Sequence, residues 1–179
     1  MTPHLADTPV LQTERLVLRA PRMSDFPVWE AFFGSDRSRY VGGPVGKYEA
    51  WRAFGHLAGM WALKGVGSFV IERKSDGAVL GSTGPWVPEY YPEKDLGWTL
   101  WAEEAEGKGY AFEAASAARD FAFGVLGWDT AVSYIDDGND RSFALAERLG
   151  AYRDDAAPKP DKDEPPVFVY RHPKPGALQ

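Results

Sequence analysis

The stretch Glu106-Gly107-Lys108-Gly109-Tyr110-Ala111-Phe112-Glu113-Ala114 decides how the rest of the chain is read. It joins a short apolar strand, expected over 96–101, to an alanine-rich segment through a turn holding two glycines. Gly107 and Gly109 allow the backbone to come close to a ligand. The helix that follows presents N–H groups without intrahelical partners, at the positive end of its dipole. Phosphoanhydride oxygens suit such donors. A dinucleotide fingerprint would need a third glycine at Phe112, and a P-loop would need glycine at Ala102 and a hydroxyl residue at Gly109, so both of those readings fail. A glycine turn with no ligand fits the same residues.

Working outward, Ala111, Ala114, Ala115, Ala118, Phe121, Ala122 and Val125 form one helical stripe, small enough to lie close on a sheet. Upstream, Arg15 to Arg19 alternates as a half-buried strand. A helix starts around Met23 to Pro27 and runs to about Phe33, and Tyr48 to Leu63 carries apolar residues three and four apart until Gly65 and Gly67 stop it. Ser75-Asp76-Gly77 is a tight hairpin signal between strands at 68–73 and 78–83, followed by a loop rich in proline and aromatics from Pro85 to Pro92. Downstream, a strand at 130–135 leads to a short helix that Asn139 can cap and Gly150 ends. Two last strands at 151–154 and 167–171 flank an acidic, proline-rich loop.

Composition bounds the answer. A chain of 179 residues with 44% hydrophobic content reads as a single domain over 1–179 with ample core material. Without cysteine there is no disulfide framework, thiolate metal site or thiol nucleophile, so acyl chemistry would proceed directly or through another group. Met1 to Asp7 has neither a basic start nor an apolar core, and no apolar run suits a bilayer, so the expected location is cytoplasmic, away from membranes. The formal charge of -6 disfavours nucleic acid as a partner and suits a cationic one.

The glycine turn resembles motif A of the GNAT acetyltransferases, Gln/Arg-x-x-Gly-x-Gly/Ala, with Glu104 standing where that family usually has Gln or Arg. The element order β-α-α-β-β-β-α-β-α-β-β extends the resemblance over nearly the whole chain. Leu11-Gln12-Thr13-Glu14-Arg15-Leu16-Val17-Leu18-Arg19, together with Asn139-Asp140-Arg141-Ser142 and Glu147-Arg148-Leu149-Gly150-Ala151, looks like the RimJ/RimL-type branch. The resemblance implies an α/β fold, α+β in detail: a mixed, mostly antiparallel twisted sheet of six to seven strands flanked by about four helices. It implies acetyl-CoA as co-substrate with no metal, and transfer of acetyl to a primary amine of a protein N-terminus or a small molecule. It leaves room for a homodimer.

Residue by residue, the resemblance implies a seat for the cofactor at Leu100, Trp101 and Ala102, at Glu106, Gly107, Lys108, Gly109, Tyr110 and Ala111, and at Asn139 and Ser142. The strand at 98–102 should diverge from 132–135 to admit the pantetheine arm. The tyrosine that protonates the departing thiolate in many relatives falls near Ala146, which cannot donate, and Ser142 is the branch's substitute. Asn139 and Ser142 share one helix side, though both also fit simple capping and solvated roles. For the base, Asp95 sits where relatives often carry an acid, with Glu89 and Glu93 as competitors and a solvent-facing charge as the bland alternative. His4, His56 and His172 show no metal spacing and receive no role. Trp86, Tyr90 and Tyr91 are the best candidates to line an acceptor pocket, with core packing the first explanation for the other tryptophans. Two other classes fit the same features: a noncatalytic CoA-binding module, favoured by the missing tyrosine, and a nucleotide-binding domain, disfavoured by the absent fingerprints.

Overall fold

Alternation and turn chemistry build most of the sheet. The computed structural model describes residues 5, 7–160 and 166–174, so His4 and part of the acidic loop lie outside the described residues. Strands β1 (Leu11–Gln12), β2 (Leu16–Arg19), β3 (Phe69–Arg73), β4 (Val79–Trp86) and β5 (Asp95–Leu100) follow one another in space, each antiparallel to the next. Asp76-Gly77 makes the β3–β4 turn, with Gly77 at φ +72°. Beyond β5 come β6 (Ala131–Asp136), β8 (Val167–His172) and β7 (Tyr152–Arg153), giving eight strands in the order β1-β2-β3-β4-β5-β6-β8-β7. β1 is the strand that sequence periodicity misses, because two residues are too few to alternate.

Period-2 burial separates the two faces of β3. Phe69 and Ile71 join Leu16, Leu18 and Leu80 under helix α3 (Tyr110–Gly124), whose fully buried Ala114 belongs to the same cluster. Val70 faces the other way, onto α1 (Phe26–Phe33) and α2 (Lys47–Lys64), among Trp29, Phe33, Phe54 and Trp101. Each such large apolar side chain contributes about 1.5–3 kcal/mol when fully removed from water. Helices on both faces leave the sheet's middle dry. Helix α4 (Asp140–Arg148) closes the far end, with Ala146 buried against Ile135 and Tyr170.

Two local readings are corrected. β4 runs on to Trp86, through the Pro85 expected to open a loop. The last β3 partner of β4 is Phe69, opposite Thr83, so the missing N–H of Pro85 costs no ladder bond. Between α1 and α2 the chain also makes a 3-10 segment, Asp36–Val41, ended by Gly42 at φ +94°.

The parallel pair β5–β6 shapes everything that follows. It has a single register pair, Asp95 opposite Val132. Beyond it the strands separate, as expected for this part of the sheet.

Candidate active site

The fork between β5 and β6 is held by side chains rather than by a ladder. The Tyr134 N–H donates to Asp95 Oδ1 at 3.1 Å, and the Ser133 hydroxyl donates to the Leu96 carbonyl at 2.6 Å. Because that hydroxyl proton is committed, the 2.9 Å contact of Ser133 Oγ with His172 Nε2 assigns the Nε2–H tautomer to His172. Burial, with the charge of Arg119 adding to it, pushes the His172 imidazole down to about 4, so it is neutral. His172 is therefore a neutral, buried donor that holds Ser133 in place. On β5 the Leu96 and Leu100 carbonyls both point to the open side, one to Ser133 and the other to Arg37, and by strand alternation the Trp98 peptide faces it too.

On one side of the fork lies a cavity of about 390 Å³ bounded by the glycine turn, the start of α3 and one face of α4. Gly107 and Gly109 are at φ +70° and +78°, left-handed conformations that L side chains rarely adopt. Gly109 is the N-cap of α3 and no side chain caps it, so first-turn N–H groups face the cavity end unclaimed within the helix. Arg37, Arg141 and Arg148 line the same space. Glu106 stands among them. It accepts from Arg37 Nη2 at 2.6 Å and pairs with Arg141, so although burial opposes its charge, the two guanidiniums hold its carboxyl below the ordinary range.

The N-terminal motif braces this cradle from outside. Glu113, in the first turn of α3, accepts from Thr13 Oγ1 at 2.5 Å, from the Arg15 N–H at 2.8 Å and from Arg15 Nε at 2.6 Å. Arg15 Nη1 also donates to the Lys108 carbonyl at 3.0 Å and its guanidinium lies 4.5 Å from the Tyr110 ring centre. Burial works against the Glu113 charge, but these hydrogen bonds outweigh it and keep the carboxyl below its usual value. The two most telling stretches of sequence are thus one physical unit.

On the other side of the fork is a second cavity, of about 490 Å³, walled by aromatic rings from α1, β4, β5, β6 and the loop after β4. Asp95 lines it. Its carboxyl is buried, and desolvation pushes it up to about 7 despite the Tyr134 hydrogen bond that favours the charge. The two cavities meet at Tyr40, Val41, Trp98, Thr99, Asn139 and Ser142, which line both. There Trp98 Nε1–H donates to Ser142 Oγ at 3.3 Å. Tyr40 reaches over from the 3-10 segment and its hydroxyl donates to the Gly138 carbonyl at 2.7 Å.

Of the expected positions, Leu100, Glu106, Gly107, Gly109, Tyr110, Ala111, Asn139 and Ser142 line the first cavity, and Asp95 with Asn139 and Ser142 lines the second. Trp101, Ala102 and Lys108 line neither. The Trp101 and Ala102 N–H groups both donate to the Leu80 carbonyl, their side chains are buried in the core, and the Lys108 carbonyl is taken by Arg15. Among the competing acids, Glu89 pairs with Lys64 and Glu93 accepts two 2.9 Å bonds from Arg171, and neither lines the second cavity. Asn139 makes no side-chain cap bond. Ala146 faces the core, one turn past Ser142, so the tyrosine's place does not open on the seam. Arg37 and Tyr40 were not legible as site residues. The bracketing Gly34 and Gly42 mark only a loop, and nothing in 36–41 says that it folds back over β5.

A family model of the acetyltransferase (GNAT) domain matches residues 15–152. An acetyltransferase of Agrobacterium tumefaciens, known from its crystal structure, is 43% identical over 92% of this chain and 94% of its own, with a TM-score of 0.84. The ribosomal-protein acetyltransferase RimL, solved in complex with coenzyme A, shares the fold at a TM-score of 0.71 and 15% identity, over 92% of this chain and 97% of that one. The uncharacterized protein YkkB of Bacillus subtilis is 32% identical over 108 residues, which are 59% of this chain. The match spans 60% of that curated relative's length.

Proposed function

The chain belongs to the GNAT acetyltransferase family, and from that premise we propose that it is an N-acetyltransferase of the RimJ/RimL type, moving acetyl from acetyl-CoA directly to a primary amine. The observation that carries this reading is the pair of cavities joined at Ser142, Asn139 and Trp98, one lined by arginines and backbone donors and the other by rings and a buried acid. A single-domain, cytoplasmic enzyme is part of the same proposal, supported for the domain by one family model over residues 15–152.

In this reading the pyrophosphate rests on the first turn of α3 and the loop at Gly107 and Gly109, with Arg141 and Arg148 adding charge. The pantetheine arm runs into the β5–β6 fork, where peptide groups lack strand partners. RimL, which has this fold, is seen with coenzyme A. The amine nitrogen attacks the thioester carbonyl carbon, the C–N bond forms and the C–S bond then breaks. The proton lost by the amine goes to Asp95, directly or through water, and the departing thiolate is protonated through the Ser142 hydroxyl, which takes a replacement proton from solvent water as it gives up its own. A carboxyl at about 7 is matched to accepting a proton near neutral pH. A serine hydroxyl is a weak acid, so its share in the rate is modest.

Thiol release from acetyl-CoA in the presence of an amine panel tests the proposal. Turnover with at least one primary amine, lost on deleting the fork side chains, supports it. Tight coenzyme A binding without turnover of any amine would favour the noncatalytic module instead.

A further inference from the structure

The first cavity carries an anion of its own. Among the described residues that line it, Arg37, Arg141 and Arg148 are cationic and Glu106 alone is acidic. Glu106 Oε1 accepts from Arg37 Nε at 3.2 Å and from Arg37 Nη2 at 2.6 Å, while Oε2 accepts from Arg141 Nη1. The two guanidiniums are held unequally. Arg37 also donates to the Trp101 carbonyl at 2.6 Å and to the Leu100 carbonyl at 3.1 Å, so it is fixed to β5 as well as to the turn. Arg141 is held, among the described residues, by Glu106 alone, and its side chain is 70% exposed. Arg148 stays out of this pairing and lies over the Phe112 ring, 4.0 Å from its centre. Only Arg141 is free to change partner.

We propose that Glu106 sets how tightly the cofactor is held, by competing with its pyrophosphate for Arg141. The inference rests on the acetyl-transfer reading for the cofactor's place at the glycine turn. A pyrophosphate carries more charge and more acceptor oxygens than a carboxylate, and a guanidinium fork suits either. When the cofactor is seated, Arg141 exchanges Glu106 Oε2 for a phosphate oxygen, while Arg37 keeps Glu106 Oε1 and the turn keeps its shape. Such an exchange stabilises the complex less than pairing with an unpartnered arginine would, because one ion pair is given up as another forms. Although burial opposes it, the two guanidiniums keep the Glu106 carboxylate charged at neutral pH, so the competition operates under working conditions. Glu106 adjoins Gly107, which places the competitor on the turn itself. After transfer, the reverse exchange helps free coenzyme A to leave, a step that limits turnover in many enzymes.

The test is calorimetric titration of the parent, Glu106→Gln, Arg141→Gln and the double variant with coenzyme A. Glutamine keeps the length of the side chain and an oxygen for Arg37. Glu106→Gln should tighten coenzyme A by about fivefold, the upper range for an exposed ion pair, mostly by slowing dissociation. Arg141→Gln should weaken binding by less than about twofold in the parent but by about tenfold in the Glu106→Gln protein, where the arginine has no carboxylate to give up. The gain from Glu106→Gln should shrink as salt is raised. Weaker binding by Glu106→Gln, or a smaller cost of Arg141→Gln there than in the parent, would overturn the inference and make Glu106 a strut that aims Arg141 at the phosphate. A gain that persists undiminished without Arg141 would overturn it too, as plain repulsion between Glu106 and the phosphates. Should Glu106→Gln fail to fold, Arg141→Gln alone decides: a loss under about twofold keeps the exchange and a larger one excludes it. No binding of coenzyme A to the parent would remove the acetyl-transfer reading together with the exchange, whereas binding with the wrong coupling removes the exchange alone.

Discussion

The two cavities share six residues and one fork, yet they are built from different materials. The first is made of backbone and arginine: two left-handed glycines, an uncapped helix start and three guanidiniums. The second is made of side chains that cluster only in the folded protein: rings from four elements and a loop, with Asp95 buried at the fork. A site for a diphosphate can be written in one contiguous stretch, because what it needs is local backbone geometry. A site for a small amine needs shape and a tuned acid, and both are set by distant residues. The contrast predicts that the first side fails through backbone changes and the second through single side chains.

The largest effect is expected at Gly109. Valine there is forced into a left-handed conformation and sets a branched side chain beside the cradle, so coenzyme A affinity should fall by about 100-fold or more. Gly77→Val, in the β3–β4 turn at a similar φ, carries comparable strain away from the cavities. It should lower stability equally and spare binding. Calorimetry with coenzyme A on both folded variants checks the pair. Equal losses would mean that the Gly109 effect is strain alone.

Asp95→Asn should come next, with kcat/KM falling by roughly 100-fold near neutral pH. The parent's profile should rise through about pH 7 and the variant's should lose that limb. Stability should move the other way. The folded-state pKa of Asp95 is raised, so the native protein keeps its proton while the unfolded chain gives it up. Stability is therefore lost as pH rises from the ordinary carboxylate range to about 7. Asparagine carries no such penalty. The Tm advantage of the variant should be small near pH 4 and reach several degrees by pH 8. A variant that loses both activity and stability at pH 8 would make Asp95 a structural strut instead.

How much of this was legible follows the same division. Gly107, Gly109, Asn139 and Ser142 stand in contiguous motifs, so the sequence places them directly, and the structure puts all four around the first cavity. That the Trp101 and Ala102 N–H groups are spent on Leu80 could not be read in advance, because a strand's apolar run does not reveal which peptide groups are already paired. Trp86 and Tyr91 could be named from an aromatic loop, but not the distances that join Tyr91 to Tyr134 across the sheet. Arg37 and Tyr40 had no signal, since their roles depend on a fold-back over β5 set by tertiary contacts to Leu100, Trp101 and Gly138.

Ser142→Ala sits on the seam and sharpens the comparison, because it touches both cavities and should affect only chemistry. Turnover should fall by about 10-fold, the low end for a positioned proton donor, with coenzyme A affinity unchanged. The cost of leaving Trp98 Nε1–H without its acceptor is limited by the 3.3 Å length of the bond and by the partial exposure of both residues. Pre-steady-state measurement of thiol release checks it. Equal rates in variant and parent would take Ser142 out of the mechanism.

The smallest effect is expected from the brace behind the cradle. Glu113 collects three hydrogen bonds from Thr13 and Arg15, and through Arg15 it is tied to the Lys108 carbonyl at the turn. None of these groups lines the first cavity, so Glu113→Gln can act only by loosening the turn. The amide keeps one oxygen and can still accept from Thr13 or the Arg15 N–H, while the charged bond to Arg15 weakens. Arg15 is partly exposed, so solvent screens the lost pair and the penalty is small. Coenzyme A affinity should drop about threefold and kcat with saturating acetyl-CoA should stay put. Raising the salt concentration should shrink the gap between parent and variant, as for any exposed ion pair. If Glu113→Gln instead lowers kcat at saturation and spares affinity, the first turn of α3 is aligning the thioester and not merely holding the phosphates. The division between a backbone-built and a side-chain-built half would then end at the seam rather than at the fork.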